Sequence, residues 1–248
     1  MRLHIIESTA GCAFAVENGC VAVVVDALRA SATASMLFEA GAVEIVAVRE
    51  VDEARALKAE SPDALLFGER GGLPPEGFDA GNSPRDITGV SGKRIIFTTT
   101  SGTARLTECA GAPAVYMGTT VNATAAMSEA ISHGLDIVLV PASASGELGN
   151  DAQEDWAAAT ALALLTDLPV GEGAPWYREM RHRIELDGLA KLFETAPHAD
   201  RLRLVGLGDD VAFCARMNVT CAVPRAKEFT PTRVELGLAA EIGACNEG

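Results

Sequence analysis

The sequence predicts an α/β fold: a three-layer α/β/α arrangement with a mainly parallel sheet and a more helical C-terminal third. Three observations predict it. Short β-branched runs alternate with longer amphipathic runs through the first two thirds of the chain, as in successive βαβ crossovers. The runs at 21–25 and 137–140 are apolar throughout rather than alternating, as parallel strands buried on both faces are. The chain has 248 residues, 48% of them hydrophobic, enough to bury roughly 70–75% of the unfolded surface.

The elements follow in order. A buried strand at 21–25 leads to a helix at 31–39. A second strand at 43–48 is followed by a helix at 51–59, with Glu50 and Asp52 favouring its start. A third strand at 65–67 runs into a long loop. A fourth, at 94–98, precedes a helix at 103–109. Strands at 114–117 and 137–140 flank a helix at 122–132, and a long helix follows at 152–165. After Leu168-Pro169 the texture changes: residues 175–205 carry many charges and read as short helices, and 219–223, just before Pro224, reads as a last strand. The expectation is one domain over 1–248 with a weak subdivision near 170.

Composition excludes several classes of partner. A formal net charge of −14 repels duplex nucleic acid and anionic membranes. The apolar runs are too short to span a bilayer, and residues 1–19 contain no signal-peptide core, so a soluble, cytoplasmic protein is expected. None of the six cysteines forms C-x-x-C or stands at zinc-finger spacing from a histidine; they read as small buried hydrophobes or inert thiols. A homodimer is the base-rate expectation.

The loop Gly68-Glu69-Arg70-Gly71-Gly72, running on to Gly77-Phe78-Asp79-Ala80-Gly81-Asn82-Ser83-Pro84, carries the chemistry. Its glycines and prolines bar regular structure, and long loops after strands are where α/β enzymes place their sites. The alternative is a surface loop without a function. Reactive side chains also follow the other strands: Asp26 and Arg29; Thr99, Thr100, Ser101, Gly102 and Thr103; then Ser143, Ser145, Glu147, Asn150, Asp151, Glu154 and Asp155. In a parallel sheet these ends share one edge. Asp26, Glu69, Asp79, Glu154 and Asp155 are candidate oxygen ligands for Mg²⁺. Arg29, Arg70 and Arg105 are candidates to grip an anion. Each has a plainer rival: Asp26 as a helix cap, Glu154 and Asp155 as helix-start acids, Glu69–Arg70 as a local ion pair. Both Glu69 and Arg70 are predicted to face the mouth. His133, His182 and His198 read as surface residues. No dinucleotide fingerprint, P-loop or G-x-S-x-G elbow is present, and Leu28 stands where a phospho-aspartate mechanism wants a second Asp.

These segments, Val25-Asp26-Ala27-Leu28-Arg29-Ala30-Ser31, the two glycine-rich stretches, Thr98-Thr99-Thr100-Ser101-Gly102-Thr103, Glu154-Asp155 and Gly208-Asp209-Asp210-Val211-Ala212-Phe213-Cys214, resemble in order the motifs of the 2-phosphosulfolactate phosphatase family. The resemblance covers about residues 20–225. It implies a Mg²⁺-dependent phosphatase on a three-layer α/β/α fold that cleaves (R)-2-phospho-3-sulfolactate to sulfolactate and phosphate, a step towards coenzyme M. Carried onto this chain, it makes Asp26, Glu69, Arg70 and Asp79 the catalytic candidates. Metal would be held by Asp26, Glu69 and Asp79 with Glu154 or Asp155. The small anionic phosphorylated substrate would be bound by Arg29, Arg70, Asn82, Ser83, Thr100, Ser101, Gly102 and Thr103. Two segments depart from the family's pattern. It reads Thr-Asn-Gly-Thr where this chain has Thr100-Ser101-Gly102-Thr103, and its glycine-rich, aromatic stretch before Glu154-Asp155 is here Gly149-Asn150-Asp151-Ala152-Gln153. Substrate identity is therefore open between phosphosulfolactate and another phosphorylated hydroxy acid, with a non-catalytic anion binder as the third reading.

Overall fold

The computed structural model describes residues 1–143 and 152–240; Ser145, Glu147, Asn150 and Asp151, named above, lie outside them. In chain order the elements are β1 (Leu3–Ile5), α1 (Ser8–Asn18), β2 (Val21–Val25), α2 (Ala30–Glu39), β3 (Glu44–Val48), α3 (Val51–Glu60), β4 (Leu65–Gly68), β5 (Arg94–Thr98), α4 (Gly102–Glu108), β6 (Val115–Met117), α5 (Ala123–Ser132), β7 (Ile137–Pro141), α6 (Gln153–Ala163), α7 (Ala174–Asp187), α8 (Leu189–Glu194), α9 (Pro197–Leu204), α10 (Gly208–Cys214), β8 (Pro224–Phe229) and β9 (Arg233–Leu238).

The strands form one mixed, mostly parallel sheet in the order β1-β7-β2-β6-β8-β9-β3-β5-β4. β1, β7, β2 and β6 pair in parallel, as do β3, β5 and β4. The β8–β9 hairpin joins the two blocks through antiparallel ladders on both sides. Alternate residues of the strands feed different cores. Val21, Val23 and Val25 face one apolar cluster with α5 and α6, whereas Ala22 and Val24 face a second. Ile45, Ala47, Ile95 and Phe97 of the other block join that second cluster, and Val46, Val48 and Ile96 face a third beneath α3. The middle cluster, around α1, α2 and α4, is therefore common to both blocks.

The hairpin corrects the expectation of a single shared edge. Three antiparallel steps separate β6 from β3, so in a flat sheet the ends of β2 and β5 would lie on opposite edges. They meet because the sheet coils. Strands twist by about 20–25° per step, or roughly 100–125° over the five steps from β2 to β5. That turns the second block back over the shared core, and α4 packs on β2, β3 and β9 at once.

Other differences are local. Residues 219–223 are not a strand; β8 begins at Pro224, a residue tolerated at a strand's first position. β1, α1 and β9 were not anticipated. Residues on either side of 170 share one apolar cluster, which includes Leu3, Val23, Trp156, Phe193 and Val211. Cys12, Cys20, Cys109 and Cys214 are buried thiols. Among the described residues no helix is long and apolar enough to cross a membrane.

Candidate active site

A cleft of about 460 Å³ opens where the two blocks converge, within the usual range for small-ligand sites. Asp26, Leu28 and Arg29 line it from the end of β2. Glu69, Gly71, Gly72 and Asn82 come from the long loop after β4, and Thr100 and Ser101 from the turn after β5. Ser143 follows β7, and His198, Arg201 and Leu202 belong to α9. A second cavity, of about 340 Å³, lies among Phe14, Trp156 and Trp176 and contains none of the predicted site residues.

The cleft's acidic floor is buried. Asp26 accepts the Ala30 N–H through Oδ1 at 3.0 Å, so its plainer reading as a helix-start cap is realised by one oxygen. Its Oδ2 lies over Gly102, where an added Cβ would come within 2.9 Å of Oδ2 and 2.7 Å of the Ala30 Cβ. Burial raises the Asp26 pKa; Glu69 and Glu154 push the same way, against the Ala30 amide and His198. Asp155 accepts the Ala27 N–H at 2.7 Å and the Ser143 N–H at 3.0 Å, stapling the end of β2 to the end of β7. Burial, Glu154 and Asp26 hold its pKa well above the ordinary carboxylate value. Glu154 meets His198 Nδ1 through Oε1 at 3.2 Å, while its buried Oε2 has no partner.

Glu69 lines the cleft, but its oxygens are engaged. Oε1 accepts the Thr100 N–H and O–H, both at 2.8 Å, and Oε2 accepts the Gly72 N–H at 2.9 Å. Burial alone would raise its pKa; these donors and Arg29 outweigh it and lower it. The carboxylate ties the β4 and β5 loops together. Gly68 makes that junction possible: with φ of 149°, a Cβ there would lie 2.1 Å from the Thr98 carbonyl oxygen.

Arg29 is the fixed cation. Its NH1 lies 2.6 Å from Asp210 Oδ2 and its NH2 donates to the Gly72 carbonyl at 2.9 Å, with both side chains of the ion pair 2% exposed. Ser83 donates to the other Asp210 oxygen at 2.8 Å, so it positions Asp210. Asn82 is buried at the cleft wall with Oδ1 unpartnered. Thr100 and Ser101 line the cleft, and Gly102 packs beneath them.

Four sequence candidates are not brought in. Asp79 accepts the Leu66 N–H at 2.7 Å and pairs with Lys58 at 3.5 Å, beside α3 and away from the cleft. Arg70 points away from the mouth: it donates to the carbonyls of Glu69 and Arg49 and to Thr98 Oγ1. A guanidinium beside three acceptors on converging loops is held there by geometry. Thr103 exchanges hydrogen bonds with Thr99 at the start of α4. Arg105 donates to Ser8 and Thr9 and pairs with Glu108.

The profile of the 2-phosphosulpholactate phosphatase family matches residues 7–228. The chain belongs to this family. Relatives named probable 2-phosphosulfolactate phosphatase include one from Deinococcus radiodurans, 36% identical over 209 residues, covering 82% of this chain and 86% of the relative. One from Carboxydothermus hydrogenoformans is 36% identical over 210 residues, covering 82% and 84%. One from Clostridium perfringens strain SM101 is 30% identical over 234 residues, covering 91% and 93%. Membership makes the chain an enzyme of the phosphoric monoester hydrolase class.

Within this family frame, the departure at Ser101 falls on the cleft wall, where its side chain makes no capping bond to α4. Sequence reasoning missed three residues, His198, Arg201 and Asp210. His198, read as a surface histidine, lines the cleft against Glu154; burial would lower its pKa, but Glu154 and Asp26 outweigh that and raise it. Asp210 was noted only as part of a motif, and it anchors Arg29. The available signal was Pro197 at a helix start with His198 and Arg201 one turn apart.

Proposed function

We propose that this chain hydrolyses (R)-2-phospho-3-sulfolactate to sulfolactate and phosphate with Mg²⁺, through the cleft between β2, the β4 and β5 loops and α9. The observation that carries the reading is one cleft of a phosphatase-family chain that brings together Asp26, His198 backed by the buried Glu154, and a rigidly held Arg29. The floor suits a hard cation. Glu154 Oε2 is buried without a partner, and the pKa values of Asp26 and Asp155 are raised by burial and by neighbouring carboxylates. Mg²⁺ needs only one or two carboxylates besides waters and phosphate oxygens. Asp26 and Glu154 would hold it; the oxygens of Asp155 and Glu69 are occupied by backbone and hydroxyl donors. Bound there, the metal would neutralise phosphate charge and polarise the phosphoryl group.

The chain's own groups supply the rest. Arg29 meets a phosphate oxygen with its position already fixed by Asp210 and Gly72, so little side-chain freedom is lost on binding. Attack of water on phosphorus breaks the bond to the C2 oxygen, and the departing alkoxide needs a proton, for which His198 lines the same wall. The reading carries with it a cytoplasmic step towards coenzyme M and a homodimer as expected assembly. Phosphate release from 2-phosphosulfolactate should require Mg²⁺ and stop with EDTA; full turnover in EDTA would remove the metal. Ser101, in place of the family's Asn at the cleft wall, favours one second reading: the same chemistry on another phosphorylated hydroxy acid. A panel of phosphorylated C3 acids decides between the two.

A further inference from the structure

We propose that Arg201, on the α9 wall of the cleft, reads the negative charge on the non-reacting end of the substrate and sets the enzyme's preference for acid-bearing phosphomonoesters. The inference rests on the phosphatase reading above but not on which acid the substrate is.

The cleft divides its charges by depth. Asp26, 5% exposed, lies deep, and Glu154, 1% exposed, lies behind His198. Arg29 is also deep, with NH1 on Asp210 and NH2 on the Gly72 carbonyl. Those groups suit the phosphoryl end. A hydroxy-acid phosphate carries one or two further anions on carbons next to the ester carbon, a few ångströms away. An acidic floor in a chain of net charge −14 disfavours such a tail unless a cation meets it.

Arg201 is placed to do so. It is exposed, unlike Arg29, yet lines the same cleft. It stands three residues after His198 in α9, so both lie on one helical face, and its charge reaches the imidazole. The wall is closely seated: a Cβ on Gly72 would lie 3.4 Å from Val205 and 3.8 Å from Leu202. The α9 segment that carries Arg201 thus packs against the glycine loop, and Arg201 and Gly72 both line the cleft. A guanidinium matches the oxygens of a carboxylate or sulfonate two at a time.

The test compares 2-phosphoglycerate and 2-phosphosulfolactate with glycerol 2-phosphate, which has the same secondary ester but a neutral tail. Steady-state kinetics of the full chain and of Arg201→Ala would give the ratio of kcat/KM for charged over neutral tails. That ratio should fall about tenfold or more in Arg201→Ala, the size of a lost charge-assisted hydrogen bond. KM for the charged tails should carry the loss, and Arg201→Lys should restore part of it. A ratio within about twofold of the original, or a fall carried by kcat alone, would overturn the inference. If the unaltered chain cleaves 2-phosphoglycerate but not 2-phosphosulfolactate, the substrate reading above fails, and the 2-phosphoglycerate ratio still judges Arg201.

Discussion

Replacing Asp210 with Ala should be among the most damaging single changes in this protein, although Asp210 does not line the cleft. The pair it makes with Arg29 is 2.6 Å long and both side chains are 2% exposed. Removing one partner strands a buried guanidinium, which costs about 3–5 kcal/mol. Ser83 loses its acceptor at the same time, for about 1 kcal/mol more. Against a total stability of about 5–15 kcal/mol, that is a large share. At about 2–4 °C per kcal/mol for a chain of this size, Tm should fall by roughly 8–24 °C. Urea denaturation of Asp210→Ala and Asp210→Asn, followed by two probes, measures it. Asn keeps the shape and one acceptor, so it should lose less. The double variant Arg29→Met/Asp210→Ala should recover much of the stability while remaining inactive, because the charge that needed a partner is gone. A loss below about 1 kcal/mol in Asp210→Ala, the size of an exposed pair, would refute the argument that burial makes this pair indispensable.

Three further outcomes are expected. Gly102→Ala gains helix propensity of about 1 kcal/mol, yet its Cβ meets Ala30 and Asp26 Oδ2; overpacking of about 1–3 kcal/mol should leave it no more stable, with kcat/KM reduced at least about tenfold as Asp26 shifts, and a variant both stabilised and fully active contradicts this. Saturating Mg²⁺, at about a hundred times its Kd, should stabilise the protein by about 2.7 kcal/mol, read by calorimetry without substrate, and Glu154→Gln should abolish most of that gain; equal gains in both proteins place the ion elsewhere. Arg70→Ala should lower stability by about 1–3 kcal/mol through three lost hydrogen bonds, while Asp79→Asn should leave kcat/KM within about twofold; a tenfold loss in Asp79→Asn would restore that carboxylate to the site.

Much of the architecture was legible because continuous apolar strands and amphipathic helices leave strong periodic signals. β2, β5 and α5 fall where the pattern puts them to within a residue. β1 escaped because three residues carry little pattern. α1 escaped because its buried face is Gly11, Cys12 and Ala15, small residues chosen for close approach rather than hydrophobic contrast. β9 does alternate, Val234 and Leu236 inward, but its place between two parallel blocks is a long-range fact that no local window contains. The same limit governs the site. Asp26, Arg29, Glu69 and Glu154 were legible as residues that follow strands. Whether such a side chain turns inward depends on which backbone groups need partners. Arg70 was claimed by the Glu69 and Arg49 carbonyls and Thr98 Oγ1, and Asp79 by the Leu66 amide of β4, while α9 enters the cleft from a segment whose charges looked like a solvated surface.

The β8–β9 hairpin has a consequence for assembly. It is the last part of the described chain, and without it the sheet has no bond between β6 and β3. Without the hairpin, Asp26 and Arg29 would stand on one parallel block and Glu69 and Thr100 on the other, with the β6 and β3 edges open to foreign pairing. The clasp on the β6 side is slight: one ladder pair, Tyr116 with Arg225, and the Arg225 guanidinium 5.8 Å over the tyrosine ring. Catalytic competence thus depends on a ribbon that slots between two half-sites and converts them into one.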